Sequence, residues 1–548
     1  MRRAIRLALS LSIGPLSLAS SQSDQPVWTL NTDRYISFYQ LTPEGILVVS
    51  TEGGLLGVDT ATGKAVWTRG DVSNIVSPGA NAGPATSIGT APPSAPPRAW
   101  LDVLSATPYG VLTIDSAGER ARLELIDLRT GERRWDSRGL PVHDVRGYFD
   151  VPGRDLLMVY GTAGEPGSPQ RLWLGVDLET GALRWQSDSL LPEPPIEFEP
   201  DGTGLDASRG ALRGHQGPVL DSDSTAVLFV SEWGPVKINL RTGSRVWASA
   251  LRAGRPPALV QDYPRILEAD GVLYAPAGKS LEAFSAADGR PLWPAPRKFS
   301  GQVAQLELTS AGLLVRGGRV WAPPGNPRGG KPFLEVLDPA TGTARWAQRG
   351  KQFEVTTPFA LDGDRLYVAT RNRLYRIALR DGTASELAEV KFRGGEEPVG
   401  LEYRDGKVLL LANHNVALFD TAGVAGYQAY FERPAASTFQ HVTRAALLVA
   451  SVYSLASGQG YGYYYMPPLV YPAAVGERPP SSAYVYVVAA HADTAGIAGP
   501  GLLKVRKDTG KPERWVVLAD KSPDYRLDER GGLLLVKRDD RQIDCYRF

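Results

Sequence analysis

The sequence predicts an all-β protein assembled from many copies of one small antiparallel sheet. Three observations lead there. A strand–turn–strand unit recurs along the chain, its stronger copies pair a turn glycine with a tryptophan, and Gly (59) and Pro (43) together make nearly a fifth of 548 residues. That composition suits many short strands joined by many turns.

The clearest unit is Val58-Asp59-Thr60-Ala61-Thr62-Gly63-Lys64-Ala65-Val66-Trp67. Copies run from Ile126 to Trp135, Val176 to Trp185, Leu240 to Trp247, Asp288 to Trp293, Leu337 to Trp346 and Lys507 to Trp515, with degenerate ones at Arg380-Asp381-Gly382 and Asp420-Thr421-Ala422-Gly423. Apolar–polar alternation before the turn, as in Leu123-Glu124-Leu125-Ile126, is the period of a β-strand. The Asp can hydrogen-bond the backbone two residues on and so pre-form the turn. The Gly supplies positive φ. The Trp buries a large surface and needs a partner for its ring nitrogen. One hairpin cannot bury its own apolar face; many in series can, stacked sheet on sheet in a ring or a solenoid.

This unit resembles the PQQ-like β-propeller repeat, in which an Asp-x-x-Thr-Gly turn is coupled to a Trp on the outer strand. The resemblance runs over nearly the whole chain and implies a single closed β-propeller of four-stranded blades. The family includes quinoprotein dehydrogenases and outer-membrane assembly scaffolds, so the fold alone does not choose a function.

Taken in order, residues 1–20 read as a secretory signal peptide: Arg2, Arg3 and Arg6, an apolar run from Leu7 to Leu18, then small residues. Residues 21–548 form the propeller domain. Val27 to Leu30 looks like a detached outer strand, and Ile543 to Phe548 ends the chain without one. The first strand is therefore expected to complete the last blade and hide both edges. Units close near Trp28, Trp67, Trp135, Trp185, Trp247, Trp293, Trp346, Val390, Phe431 and Trp515, which makes ten. Excluding three inserts (71–97, 187–212 and 455–500) leaves about 43 residues per unit, the size of a four-stranded blade. Eight blades, within the usual range of four to eight, is the family-based alternative.

Removal of residues 1–20 takes away Arg2, Arg3 and Arg6 and moves the formal charge from +1 to −2, which gives no general attraction to nucleic acid. No later stretch is long and apolar enough to span a bilayer. The single cysteine, Cys545, cannot form an internal disulfide and lies far from the cleavage site. The lipid anchor usual among the assembly scaffolds therefore has no attachment point.

Candidate binding residues are Tyr461, Tyr463, Tyr464, Tyr465 and Tyr471 of a Gly- and Pro-rich tract. They offer either a partner-docking surface or a cover for the ring. His143, His215, His414, His441 and His491 show no metal-ligand spacing. His414 is expected at a turn between two strands of one blade. Asp221-Ser222-Asp223-Ser224 and Asp362-Gly363-Asp364 resemble fragments of calcium loops but lack the closing Glu, and read as turns. No nucleophile-elbow, P-loop or zinc-protease motif occurs, and no catalytic or metal residue is assigned. The resemblance then implies an exported, non-enzymatic scaffold in the cell envelope, free in the periplasm or bound at the outer membrane, with an envelope protein as partner and no cofactor. The alternative is a quinoprotein dehydrogenase holding PQQ and calcium at the ring centre.

Overall fold

Aliphatic runs broken every few residues by Asp, Thr and Gly leave no room for long elements. The computed structural model of the chain is built accordingly from strands of two to nine residues. It describes residues 25–42, 44–72, 104–107, 109–115, 122–151, 154–164, 170–188, 216–231, 234–253, 266–319, 329–349, 354–433, 469–470, 483–492, 498–518, 524–528 and 531–548. Among these, the strands form ten four-stranded antiparallel sheets, so the repeat count of ten holds and not the alternative of eight.

The sheets are the blades of a propeller. Blade 1 spans 36–69, blade 2 104–136, blade 3 144–187, blade 4 216–248 and blade 5 267–298. Blade 6 spans 302–349, blade 7 360–389, blade 8 400–430, blade 9 469–517 and blade 10 524–547. In blades 1–9 strands adjacent in sequence are adjacent in the sheet. The second strand of blade 1, Ile46–Thr51, is wholly buried, whereas its fourth, Ala65–Arg69, buries only Trp67, which marks the fourth strand as the rim. Blade 10 takes its fourth strand from the other end of the chain. Trp28–Asn31 pairs with Gln542–Arg547, with Trp28 opposite Cys545 and Asn31 opposite Gln542.

The apolar cores lie between sheets, one at each junction. Val48 and Trp67 of blade 1 meet Ile126 of blade 2; Val488 and Leu502 of blade 9 meet Leu534 of blade 10. Leu535 and Ile543 of blade 10 meet Leu47 and Val49 of blade 1. The other seven clusters fill the seven remaining junctions. Ten sheets in an open row would share nine junctions. Ten junctions make a closed ring.

A single polar contact recurs around that ring. The carbonyl just after the third strand of each blade accepts a hydrogen bond from the preceding blade. Tryptophan Nε1 donates at seven junctions: Trp28 to Thr60, Trp67 to Leu128, Trp135 to Leu178, Trp185 to Leu240, Trp247 to Ala286, Trp293 to Pro339 and Trp346 to Leu379, at 2.7–3.1 Å. Each of these rings also lies on the turn glycine of the blade it reaches. A Cβ on Gly131 would sit 2.6 Å from the Trp67 ring, and one on Gly342 2.5 Å from Trp293. The glycine is thus required twice, for φ near +70° and for the ring above it.

The remaining three junctions use substitutes. Tyr427, four residues after Gly423, donates its hydroxyl to the Lys507 carbonyl at 2.6 Å, and its ring covers Gly510. Lys504 reaches the Phe548 carbonyl at 3.3 Å, and Arg376 reaches that of Thr421 at 3.5 Å. Removing only the hydroxyl, with Tyr427→Phe, is expected to cost about 1 kcal/mol, the net value of one hydrogen bond. A denaturant midpoint unchanged by that substitution would show the contact to be idle.

Three expectations need correction. Trp515 does not belong with the other repeat tryptophans: it follows its glycine by five residues instead of four. In a strand one extra residue turns the side chain to the opposite face, and Trp515 packs half-buried into the core between blades 8 and 9. Trp293 keeps the junction contact but precedes its outer strand, Arg297–Lys298, instead of lying in it. The expected insert 455–500 contains blade strands, Tyr484–Ala492 and the start of Ala498–Arg506. The expected inserts 71–97 and 187–212 lie almost wholly outside the described residues.

Candidate functional site

Strand order gives the ring two unlike faces. The Asp-x-x-Thr-Gly turns and the hairpins between first and second strands lie on one. The hairpins between second and third strands, and the connections from blade to blade, lie on the other. On this connection face, between blades 7 and 8, the structure gathers a closely bonded polar cluster on the one histidine that the sequence places at a hairpin.

The cluster is built around Glu396, in the segment joining the outer strand of blade 7, Ala384–Glu389, to the first strand of blade 8, Gly400–Arg404. A turn at Arg393–Gly395, with Gly394 and Gly395 both at positive φ, folds its carboxylate inward. His414 lies, as expected, in the hairpin between Lys407–Leu411 and Asn415–Asp420. It donates its backbone N–H to Glu396 Oε2 at 2.9 Å, and its Nδ1 lies 2.7 Å from Oε1. Asn415 Nδ2 donates to Oε2 at 2.7 Å and Arg433 Nη2 to Oε1 at 2.8 Å. Asn415 also clamps Arg393, accepting from its N–H at 2.9 Å and donating to its carbonyl at 3.1 Å.

Burial alone would push the Glu396 carboxyl up. The hydrogen bonds from the His414 ring and backbone and from Asn415 outweigh it and hold the group below the ordinary glutamate value of 4.5. The side chains of Glu396 and His414 are only 5% and 8% exposed. A carboxylate so fully occupied does not take up a proton from a substrate at neutral pH. It staples the blade connection to the hairpin, and through Arg433 it fixes the point where the chain leaves blade 8 for residues 434–468.

Of the other sequence candidates, His143, Asp221 and Asp362 to Asp364 lie among the described residues, and none of them belongs to this cluster. Tyr461, Tyr463, Tyr464, Tyr465 and Tyr471 lie outside the described residues, as do His215, His441 and the side chain of His491. His143 is exposed, just before blade 3. Asp221 is a buried turn residue: it accepts from the backbone of Thr225 and Ala226 at 2.9 Å and pairs with Lys237 at 2.9 Å. Asp362-Gly363-Asp364 forms a hairpin turn in blade 7. Among the described residues no group of three or more His, Cys, Asp or Glu side chains is gathered as a metal site would require. Sequence reading named His414 but missed Glu396, Asn415 and Arg433, because partners 18 to 37 residues apart in an irregular connection carry no periodic signal. Tyr427 was findable: it keeps the four-residue spacing from glycine that marks the tryptophans.

Residues 119–386 match the family model described as outer membrane protein assembly factor BamB, a span from the third strand of blade 2 to the outer strand of blade 7. No curated protein matches the chain. Among solved structures, BamB from Moraxella catarrhalis is 13% identical, over 73% of this chain and 93% of that one, with a TM-score of 0.36. Quinohemoprotein alcohol dehydrogenase from Comamonas testosteroni is 16% identical over 72% of each chain, with a TM-score of 0.34. Likenesses at these scores carry no argument about function. The ring, its glycine–tryptophan junctions and the match over residues 119–386 make the chain similar to repeat proteins of the PQQ-like β-propeller type.

Proposed function

We propose that the protein is an exported, non-enzymatic β-propeller that serves as a protein–protein interaction scaffold in the bacterial cell envelope. In this reading residues 1–20 are its signal peptide, residues 21–548 are one propeller domain, and its partner is an envelope protein. The observation that carries it is the match of residues 119–386 to a family described by outer-membrane protein assembly. The polar cluster on the connection face supports it, because its groups are spent on holding loops in place, which is what a rigid docking platform needs. Arg433, the last described residue before 434–468, ties the root of the tyrosine-bearing tract to that platform. Tyr461, Tyr463, Tyr464, Tyr465 and Tyr471 would then be the residues that contact the partner.

The repeat is shared with quinoprotein dehydrogenases, so the decisive test sets the two activities side by side. Full-length protein mixed with PQQ and calcium is expected to show neither a stoichiometric chromophore nor a rise in melting temperature, since a tight ligand must raise stability. Replacing the five tyrosines by serine is expected to leave melting unchanged and to abolish recovery of one defined envelope protein that the wild-type chain does recover. A clear melting shift with PQQ would overturn the scaffold reading in favour of an enzyme.

A further inference from the structure

Seven junctions are filled by a tryptophan ring and one by a tyrosine, but the junction from blade 7 to blade 8 is not, and it leaves a recess. In blade 1 the strand register skips one residue at Val66, so that Trp67 faces Gly57, the second residue before the turn aspartate. In blade 7 the skip comes later along the outer strand, between Glu386 and Ala388. Ser385 therefore faces Arg376, the second residue before Ala378, which stands where the aspartate stands in blade 1. A small hydroxyl and a guanidinium thus occupy the places of the indole and the bare glycine. The result is an opening of about 270 Å³ on the turn face, lined by Asp364, Arg365, Arg376, Ala378, Thr383 and Ser385.

The chemistry of that lining is specific. Two guanidiniums and two hydroxyls converge on it. The two guanidiniums are held loosely, Arg376 Nη1 lying 3.5 Å from the Thr421 carbonyl and Arg365 Nε 3.9 Å from Asp364, while the Thr383 hydroxyl bonds Asp381. Arg345, of similar exposure, is by contrast tightly paired with Asp338 at 2.8 Å. Asp364, 86% exposed, Asp362, directly opposite Arg365 in the hairpin, and Asp381, bonded to Thr383, offset part of this positive charge from the rim. Arginine forks and hydroxyl donors around an opening are the donor set that recognises a carboxylate or a phosphate.

We propose that this recess is an oxyanion-binding site, taking a carboxylate or phosphate group between Arg365 and Arg376 with Ser385 as a further donor. The group arrives either as a free oxyanion or on an acidic peptide segment. The site does not depend on the scaffold reading.

The test is calorimetric titration of the full chain at low salt with inorganic phosphate and, separately, with a hexaglutamate peptide. At least one is expected to bind with unit stoichiometry; phosphate alone marks a free-oxyanion site, and the peptide alone or more tightly marks a carboxylate carried on a chain. Arg365→Gln, which removes the charge of a half-exposed side chain, is expected to weaken binding about tenfold. Ser385→Trp, which fills the opening, is expected to abolish it. Both variants are first checked for wild-type circular dichroism and cooperative melting. If neither probe binds the wild type the proposal is overturned, as it is by undiminished binding to either folded variant.

Discussion

Trp293→Ala is expected to lower the unfolding free energy by about 3–5 kcal/mol, the usual range for emptying a buried aromatic site. Trp293 is 1% exposed, sits in the core shared by blades 5 and 6, and donates to the Pro339 carbonyl at 2.8 Å. The substitution leaves both a cavity and an unpaired carbonyl, two costs that act together. The converse change sharpens the test. Gly342→Ala places a methyl about 2.5 Å from the same ring, at φ +70°, so it too should be strongly destabilising. In the Trp293→Ala background the clash is gone and only the backbone cost of a positive φ remains, so the two effects should be clearly less than additive. Chemical denaturation of the four proteins measures this; full additivity would mean that ring and glycine do not touch.

Glu396→Gln is expected to cost about 3 kcal/mol at neutral pH, because it removes the charge that His414, Asn415 and Arg433 are arranged to meet. Exposed pairs such as Arg184 with Asp177 contribute at most about 1 kcal/mol, so their loss should pass nearly unseen. The pH dependence has a definite sign. The folded carboxyl titrates below its unfolded value of 4.5, so its contribution is complete above that value and is lost as pH falls through the lower folded one. Wild type should therefore lose stability more steeply than Glu396→Gln on acidification from about pH 5 to pH 3. Parallel profiles for the two proteins would mean that the carboxyl is not held in its charged form by the fold.

The architecture was legible in the sequence to an unusual degree, and the reason is physical. A repeat writes the same packing problem many times, so the Gly-to-Trp spacing at Gly63–Trp67, Gly131–Trp135 and Gly181–Trp185 announces one junction geometry repeatedly. The expectation that Trp28 closes the last blade followed from a strand with no partner nearby in sequence, and the pairing of Trp28 with Cys545 bears it out. Legibility failed where the junction is made by other chemistry. Arg376 and Lys504 reach the same kind of carbonyl as the tryptophans do, but an isolated cation in a strand looks like any solvated charge. The Glu396 cluster was hidden for a related reason: its partners come from a connection, a hairpin and a strand end, which share no period.

The closed ring is the proposition on which the rest depends, and the chain's single cysteine offers a direct measurement of it. Cys545 is fully buried, and burial pushes its thiol up to about 12, so in the native protein it is protonated and unreactive. Directly opposed residues of an antiparallel pair lie within disulfide reach. Trp28→Cys, unfolded and refolded under oxidising conditions at low protein concentration so that both thiols can react before burial, is therefore expected to form one intramolecular disulfide between residues 28 and 545, identified by peptide mapping under non-reducing conditions. Two free thiols in the folded monomer, or only intermolecular cross-links, would contradict the closure of blade 10 by Trp28–Asn31 and with it the ring.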